Sequence, residues 1–280
     1  MFDVWTRAEI RAQGATERQL RAAVAAGELL RARKGHYVGR DAPASLLRAA
    51  RVGGRLGCVS LLAELGVFVF DNSVLHVHME RGDSRMRDDR GSGSLPRRDR
   101  RRRLTLHWRT LSEPARSGAV GIIDAVAQAV CCQEPKYALA TLDSALNTGV
   151  LQAAQLDEVF ALLPRRHQVL RGLIDGRAQS GTETLIRLLL RRAGHHVEVQ
   201  AKIEGVGAVD LLVDGWLVIE CDSKQFHSDW AQQREDYRRD LALAERGFTR
   251  MRILAEDILY RPDMVATAFR GLLLSERRLR

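Results

Sequence analysis

The first forty residues carry two short amphipathic helix patterns followed by an alternating stretch. Thr6 and Glu9 have the spacing of a helix capping box, and Thr16 stands in the same position ahead of a second apolar face. The stretch ELLRARKGHYV then alternates apolar and basic residues around Lys34-Gly35, which predicts a β-hairpin. Two helices and a hairpin in this order predict a small winged helix-turn-helix over residues 1–40.

Residues 43–175 mix helical and strand periods, which predicts a mixed α/β middle region. Apolar residues recur at helical spacing in 44–51, 57–65, 120–132, 137–147 and 153–163. Strand-like runs occupy 67–70, 75–79 and 104–108. Three histidines on these strands, His76, His78 and His107, are interpreted as packed or exposed side chains rather than metal ligands.

Strand-like apolar runs alternate with helical patterns from residue 176 to residue 280, which predicts an α/β domain. The helices are expected at 181–193, 229–246 and 263–275. The strands are expected near 196–201 and at 208–213, 216–222 and 248–253. The domain boundary is placed near Ile174-Asp175-Gly176, where small and polar residues interrupt the pattern.

Composition narrows the functional classes. The 280 residues suggest two domains, and 45% hydrophobic with 28% charged residues exclude a collagen-like, mucin-like or wholly disordered chain. The four cysteines form no C-x-x-C pair, so neither a disulfide framework nor a zinc ribbon is expected. Neither a leader pattern nor an apolar run of membrane-spanning length is visible, so we expect a cytoplasmic protein without a membrane partner.

The charge balance keeps nucleic acid among the expected partners. The net charge is +9, and 44 of the side chains are Lys or Arg. Residues 81–103 alone hold ten arginines against four aspartates, a net +6. This Arg-rich segment is expected to be a solvated loop, and non-specific phosphate binding is the alternative.

If the winged helix-turn-helix forms, its basic residues are candidates for binding duplex DNA. Four side chains would lie near the start of the recognition helix: Thr16, Arg18, Gln19 and Arg21. Four more would lie along the hairpin and face phosphate: Arg31, Arg33, Lys34 and His36. A plain helical hairpin with solvated arginines is the alternative interpretation.

The candidate chemistry lies in GAVDLLVDGWLVIECDSKQFH, residues 207–227. Asp214-Gly215 is a hairpin turn signal between two apolar strands. Asp210 interrupts the first strand, and Glu220 and Asp222 interrupt the second. Buried carboxylates need a partner or a metal, and clustered oxygen ligands suit Mg²⁺ or Mn²⁺. Asp210, Glu220 and Asp222 are therefore the predicted metal ligands.

The register of this hairpin decides whether Asp210 joins the other two acids. A two-residue loop pairs Val213 with Trp216 and puts Asp210 on the opposite face from Glu220. A three-residue loop with a bulge at Gly215 pairs Leu212 with Trp216 and brings the acids to one face. A bulge elsewhere in the ladder would have the same effect, so the metal site requires an irregular hairpin.

Three further residues near these acids are catalytic candidates. Glu183 either completes a capping box with Ser180 or supports the metal, or does both. His227 follows the second strand and can relay a proton, and Lys224 can neutralise a phosphate. Asp240 is expected to pair with a neighbouring arginine rather than with metal.

These residues resemble the Vsr-like (very-short-patch-repair endonuclease-like) branch of the PD-(D/E)XK nuclease superfamily over roughly residues 176–277. The resemblance rests on SGTET, VDLL, IECDSKQFH, RRD, GFTRMRI and RPD in this order. It implies a restriction-endonuclease-like α/β/α sheet domain in which Asp210, Glu220, Asp222 and His227 match the motif. Ser223 replaces the usual glycine, and Asp222 stands where the wider superfamily has lysine.

Residues 1–175 resemble, more weakly, winged-helix antitoxin-like regulators of the AbiEi type. The resemblance rests on FDVWTRAEI, the Gly27-x-Leu entry to the hairpin, RKGHYV and LDSALNTGV. It implies duplex DNA and a cognate toxin as partners, whereas a fused nuclease domain implies DNA repair or defence against foreign DNA.

The sequence thus predicts a Mg²⁺- or Mn²⁺-dependent DNA endonuclease. The alternative is a DNA-binding regulator or antitoxin whose nuclease-like domain is inactive. An RNA nuclease would use the same chemistry, although only 5% aromatic residues disfavour single-strand stacking.

Overall fold

A computed structural model of the chain describes residues 2–82, 86–90, 93, 104–113, 118–222 and 230–279, without the side chains of 231–232 and 275–279. The chain divides into two compact units. The first unit contains Met1–Thr141 and Thr148–Arg171, and the second contains Leu142–Asn147 and Gly172–Arg280. Within the described residues, no helix is long and apolar enough to cross a membrane.

The first unit begins with the predicted helices and hairpin. Strand β1 (Trp5–Thr6) precedes α1 (Arg7–Ala12) and α2 (Glu17–Ala25), and β2 (Leu29–Arg33) and β3 (His36–Gly39) form the hairpin. Both predicted capping boxes are present, at Thr6 and Thr16. The strands form one sheet in the order β1-β3-β2.

The rest of the first unit is built around buried helices and a second three-stranded sheet. Its helices are α3 (Ala44–Val52), α4 (Cys58–Glu64), α5 (Ile122–Cys132), α6 (Pro135–Asn147), which ends in the second unit, and α7 (Leu156–Ala161). Its strands are β4 (Arg55–Leu56), β5 (Leu75–His78) and β6 (Leu104–His107). Strand β5 is central, antiparallel to β4 and parallel to β6.

The predicted strand at 67–70 is wrong. This stretch has no regular structure, although Val67 is buried. The ring of Phe70 instead stacks on that of Tyr137, with centroids 3.8 Å apart. The apolar residues that suggested a strand are therefore used for packing outside any sheet.

The second unit contains a four-stranded mixed sheet in the order β10-β9-β8-β7. Its strands are β7 (Val197–Ile203), β8 (Gly207–Val213), β9 (Leu217–Asp222) and β10 (Thr249–Leu254). Its helices are α8 (Gly181–Arg192), α9 (Trp230–Glu245), α10 (Ala255–Tyr260) and α11 (Pro262–Leu279). The predicted elements of this domain are confirmed, while α10 was not predicted.

Two apolar clusters pack against this sheet. One contains residues of α8, α10 and α11, among them Ile186, Ile258 and Phe269. The other contains Val218 of β9 and Leu243 of α9. Helices contributing to separate clusters give the unit the layered α/β arrangement that the alternating pattern predicts.

A buried ion pair joins the start of the second unit to α8. Asp143 and Arg187 have side chains that are 1% and 0% exposed, and Arg187 Nη2 lies 2.6 Å from Asp143 Oδ2. The Thr184 hydroxyl donates to the same oxygen at 2.8 Å, and the Asp175 amide donates to Oδ1 at 2.8 Å. Several donors thus compensate the carboxylate for its lost water, as a buried charge requires.

Candidate active site

The β8–β9 hairpin is irregular, as the metal-site hypothesis requires. Val213 pairs with Leu217, so the loop comprises Asp214, Gly215 and Trp216. Asp214 and Gly215 have φ of 49° and 76°, and the Trp216 amide donates to the Val213 carbonyl at 3.1 Å. Both predicted pairings of Trp216 are wrong because this residue leaves the ladder as an extra position.

The extra residue brings Asp210 and Glu220 to corresponding positions on adjacent strands. Antiparallel pairing ends at Leu211 and Ile219, so Asp210 and Glu220 are the next residues beyond it. There the Cys221 amide donates to Asp210 Oδ2 at 2.9 Å. A side-chain carboxylate therefore takes a strand donor that a regular ladder would give to a backbone carbonyl.

Gln200 of β7 connects Asp210 to Glu183. Its Nε2 donates to Glu183 Oε2 at 3.0 Å and to Asp210 Oδ1 at 3.4 Å. Gln200 has φ of 52°, a left-handed conformation that is uncommon for a residue with a side chain and that often occurs at functional sites. The sequence analysis did not identify this residue, because a glutamine within a half-exposed strand gives no distinctive signal.

Glu183 takes part in the helix N-terminus, the first of the two roles that the sequence left open. The Ser180 hydroxyl accepts from the Glu183 amide at 3.2 Å, which is half of a capping box. Glu183 Oε2 accepts from the Gln179 amide at 3.0 Å instead of from Ser180. The carboxylate thus accepts from the residue that precedes the N-cap, and the same oxygen contacts Gln200.

Burial and like charge act together on these acids. Burial raises the pKa of Glu183, and the Asp210 carboxylate raises it further. Burial also raises the pKa of Glu220; the Arg239 guanidinium opposes this effect, whereas Asp210 adds to it. Because the Asp210 carboxylate disfavours ionisation of Glu183 and of Glu220, a cation bound near them would lower the free energy of their ionised forms.

Glu220 and Asp222 both form ion pairs with arginines. Glu220 Oε1 lies 3.3 Å from Arg239 Nη2 and 3.8 Å from Arg250 Nη2. Asp222 Oδ2 lies 2.8 Å from Arg252 Nε. Asp222 is thus held by an exposed ion pair, in contrast to the more buried Glu220.

Asp240 pairs with Arg250. Its partner is therefore an arginine, which lies on β10 and not beside Asp240 in the sequence.

Three acidic side chains lie near the point where pairing of β8 and β9 ends. Asp210, Glu183 and Glu220 offer carboxylate oxygens, the ligands that Mg²⁺ and Mn²⁺ prefer. Among the described residues, Glu220 Oε1 is buried without a hydrogen-bond partner, although the two guanidinium groups lie nearby. The charges of Arg239 and Arg250, rather than a hydrogen bond, compensate this oxygen.

Two of the DNA-binding candidates are used in a helix cap. Gln19 Oε1 accepts from the Thr16 amide and hydroxyl, both at 2.8 Å, while the Thr16 hydroxyl accepts from the Gln19 amide.

Two candidates on the hairpin contact each other: Arg33 Nη2 lies 3.3 Å from His36 Nε2. The exposed basic candidates are Arg18, Arg21, Arg31 and Lys34.

Several predicted residues lie outside the described part of the chain. Lys224 and His227 fall between Asp222 and Trp230, and most of the Arg-rich segment 81–103 is likewise not described.

The raised pKa of Glu183 predicts the pH dependence of stability. Its stabilising contribution is complete below the ordinary pKa of 4.5 and is lost as pH rises through the folded-state pKa. As pH rises above 4.5, the Tm of metal-free wild type should therefore fall relative to that of Glu183→Gln. Glu198→Gln, an exposed change on β7, is the control, and parallel curves for wild type and Glu183→Gln would contradict the prediction.

The fold defines the chain as a mixed α/β protein with several small sheets. Two proteins of Mycobacterium tuberculosis, the uncharacterized proteins Rv2248 and MT2308, are each 30% identical to it over 271 residues, covering 90% of the chain and 94% of the relative. The chain belongs to the family of these mycobacterial proteins. No model of a protein family matches the sequence. The names of these relatives assign no activity.

Proposed function

We propose that the protein is a metal-dependent endonuclease that hydrolyses phosphodiester bonds in duplex DNA. The observation that carries this proposal is the meeting of Asp210, Glu183 and Gln200 where strands β8 and β9 separate. The match of Asp210, Glu220 and Asp222 to the Vsr-like motif supports it independently.

The site residues have different proposed roles in phosphodiester hydrolysis. Asp210, Glu183 and Glu220 would hold Mg²⁺ or Mn²⁺, and Gln200 orients the first two carboxylates through its hydrogen bonds. A cation held there would supply Lewis-acid chemistry to the hydrolysis. His227 or Lys224 supplies the proton or the positive charge that the wider superfamily obtains from lysine.

Duplex DNA is proposed to bind along the exposed basic residues of α2 and the β2–β3 hairpin. The side chains of Arg18, Arg21, Arg31 and Lys34 are exposed there. Contacts of this kind to phosphate position a duplex without reading its sequence. The Arg-rich segment would add affinity that is equally independent of sequence.

Cleavage of supercoiled plasmid by the purified chain tests the proposed activity. With Mg²⁺ or Mn²⁺ we expect nicked or linear product, and EDTA should abolish it. Structured RNA of the same length, assayed beside the plasmid, separates the two nucleic acids. Cleavage that persists in EDTA, or cleavage of RNA alone, would contradict the proposal.

Removing the exposed arginines of α2 should weaken DNA binding at every sequence. In Arg18→Ala/Arg21→Ala, the slope of log affinity against log salt concentration should fall by about 0.9 for each phosphate that the protein no longer neutralises. Fluorescence anisotropy with a labelled duplex at several salt concentrations measures this slope. Arg171→Ala, which removes an arginine paired with Asp157, is the control. An unchanged slope in the double variant would exclude α2 from the interface.

A second candidate function is a DNA-binding regulator or antitoxin with an inactive nuclease-like domain. The ion pairs of Glu220 with Arg239 and of Asp222 with Arg252 favour it, because they neutralise two acids without metal. In this case the chain would bind duplex DNA with the α2 dependence described above, and the plasmid would stay supercoiled with either metal.

A further inference from the structure

Four metal-ligating side chains converge in the first unit, far in sequence from the carboxylates. Cys58, His76, His107 and Cys132 each present one ligand atom, and all four atoms lie within 4.8 Å of one another. The sequence analysis interpreted His76 and His107 as packed or exposed and found no zinc-ribbon spacing. A site assembled from four separate elements has no local sequence motif.

The distances match a tetrahedral site. His76 Nδ1 and His107 Nε2 are 3.2 Å apart, and Cys132 Sγ lies 3.8 Å and 4.0 Å from these two nitrogens. Tetrahedral Zn²⁺ with Zn–S of about 2.3 Å and Zn–N of about 2.0–2.1 Å requires ligand separations of roughly 3.3–3.8 Å. His76 Nδ1, His107 Nε2 and Cys132 Sγ therefore lie within about half an ångström of that geometry, and Cys58 Sγ lies within 4.8 Å of each of them.

Each of these four ligands lies on a helix or a strand. Cys58 is the first residue of α4, and Cys132 is the last residue of α5. His76 lies on β5 and His107 on β6, and these two strands are paired, with His76 opposite Thr105. Ligands on helices and strands are held more rigidly than ligands on loops, so this cluster is preorganised.

Local strain and close packing position the buried cysteine. Cys58 is fully buried and has φ of 52°, a conformation that costs free energy in a residue with a Cβ. A Cβ on the preceding Gly57 would lie 2.9 Å from Gln128 Oε1 of α5, so glycine allows the two helices to approach. Packing thus keeps the Cys58 thiol at the cluster.

We propose that Cys58, His76, His107 and Cys132 form a structural Zn²⁺ site. Thiolate and imidazole ligands select zinc or another borderline or soft transition metal over Mg²⁺. Four protein ligands complete a tetrahedron and leave no position for substrate, which is the mark of a structural site. Cys132 is exposed and both histidines are half-buried, so the ion has a path of entry.

The zinc would join the two strands between which the Arg-rich segment is inserted. His76 and His107 precede and follow residues 81–103 in the chain, on strands paired in parallel. Coordination of both histidines by one ion ties these strands to α4 and α5. Metal binding should therefore raise the Tm of the full chain, since the ion binds only the folded ligand set.

Metal content of the full-length protein tests this proposal without any activity assay. The chain is purified reduced, stripped with a chelator and titrated with Zn²⁺, and with Co²⁺, whose visible spectrum distinguishes tetrahedral thiolate from octahedral oxygen coordination. We expect one equivalent of tightly bound zinc, a tetrahedral cobalt spectrum and a higher Tm with metal.

Matched variants identify the ligands. Cys132→Ser and His107→Gln, both at positions that are not fully buried, should lose the zinc and the cobalt spectrum while keeping the wild-type circular dichroism. Cys131→Ser changes the adjacent cysteine, which is outside the cluster, and should retain both. A folded wild-type chain that binds no zinc, zinc that survives Cys132→Ser, or a native disulfide between Cys58 and Cys132 would each overturn the proposal.

Discussion

Asp210→Asn is expected to lower metal-dependent DNA cleavage by roughly a thousandfold. A catalytic cation contributes several kcal/mol to the stability of the transition state, and each loss of about 1.36 kcal/mol is tenfold in rate. The amide removes the negative charge but keeps an oxygen that can accept from the Cys221 amide, so the end of the β8–β9 ladder should be preserved. Initial rates of plasmid nicking at saturating Mn²⁺ give the comparison.

Asp214→Asn is the matched control for this change. Asp214 lies in the loop of the same hairpin, where its Oδ2 is 2.7 Å from His195 Nδ1 and its Oδ1 accepts from the His196 amide. We expect its cleavage rate to stay within a few-fold of wild type. Equal losses in Asp210→Asn and Asp214→Asn would attribute the effect to the hairpin fold, and full activity in Asp210→Asn would refute its role as a ligand.

The largest stability effect is expected for Asp143→Ala. Removing one partner of a buried ion pair leaves an uncompensated charge, which costs about 3–5 kcal/mol. Arg187 would keep only part of its partners, since its Nη1 still donates to the Leu173 carbonyl at 2.7 Å. Burial raises the pKa of Asp143 although Arg187 opposes this effect, which reflects the same desolvation of the carboxylate.

Urea denaturation of the full chain, followed by circular dichroism, measures this loss. Arg261→Ala removes an exposed partner of Asp257 in the same unit and should change the free energy of unfolding by less than about 1 kcal/mol. A loss in Asp143→Ala no larger than that in Arg261→Ala would contradict the buried-pair account.

Local patterns in the sequence predicted most of the elements. The capping boxes at Thr6 and Thr16 mark their helices because the hydrogen bonds lie within four residues. The strand prediction at 67–70 failed because apolar side chains such as Phe70 can pack against a helix as readily as within a sheet. Periodicity records that a residue is buried but not which element buries it.

The acidic residues of the candidate site could be predicted from the sequence, but the contacts that bring them together could not. Asp210 and Glu220 interrupt apolar strands, and this is visible in sequence. Their meeting depends on Trp216 leaving the ladder, which the Asp-Gly turn signal does not determine. Gln200 and the Cys/His cluster depend on tertiary contacts between elements distant in sequence, which no spacing reveals.

Binding of Mn²⁺ to the metal-free chain tests the central claim most directly, because it requires no knowledge of the nucleic acid substrate. Isothermal titration calorimetry is run on wild type, Asp210→Asn and Cys132→Ser. The account predicts that Mn²⁺ binds to wild type and to Cys132→Ser and that binding is lost in Asp210→Asn. Equal Mn²⁺ binding by wild type and Asp210→Asn, or no binding by folded wild type, would contradict it.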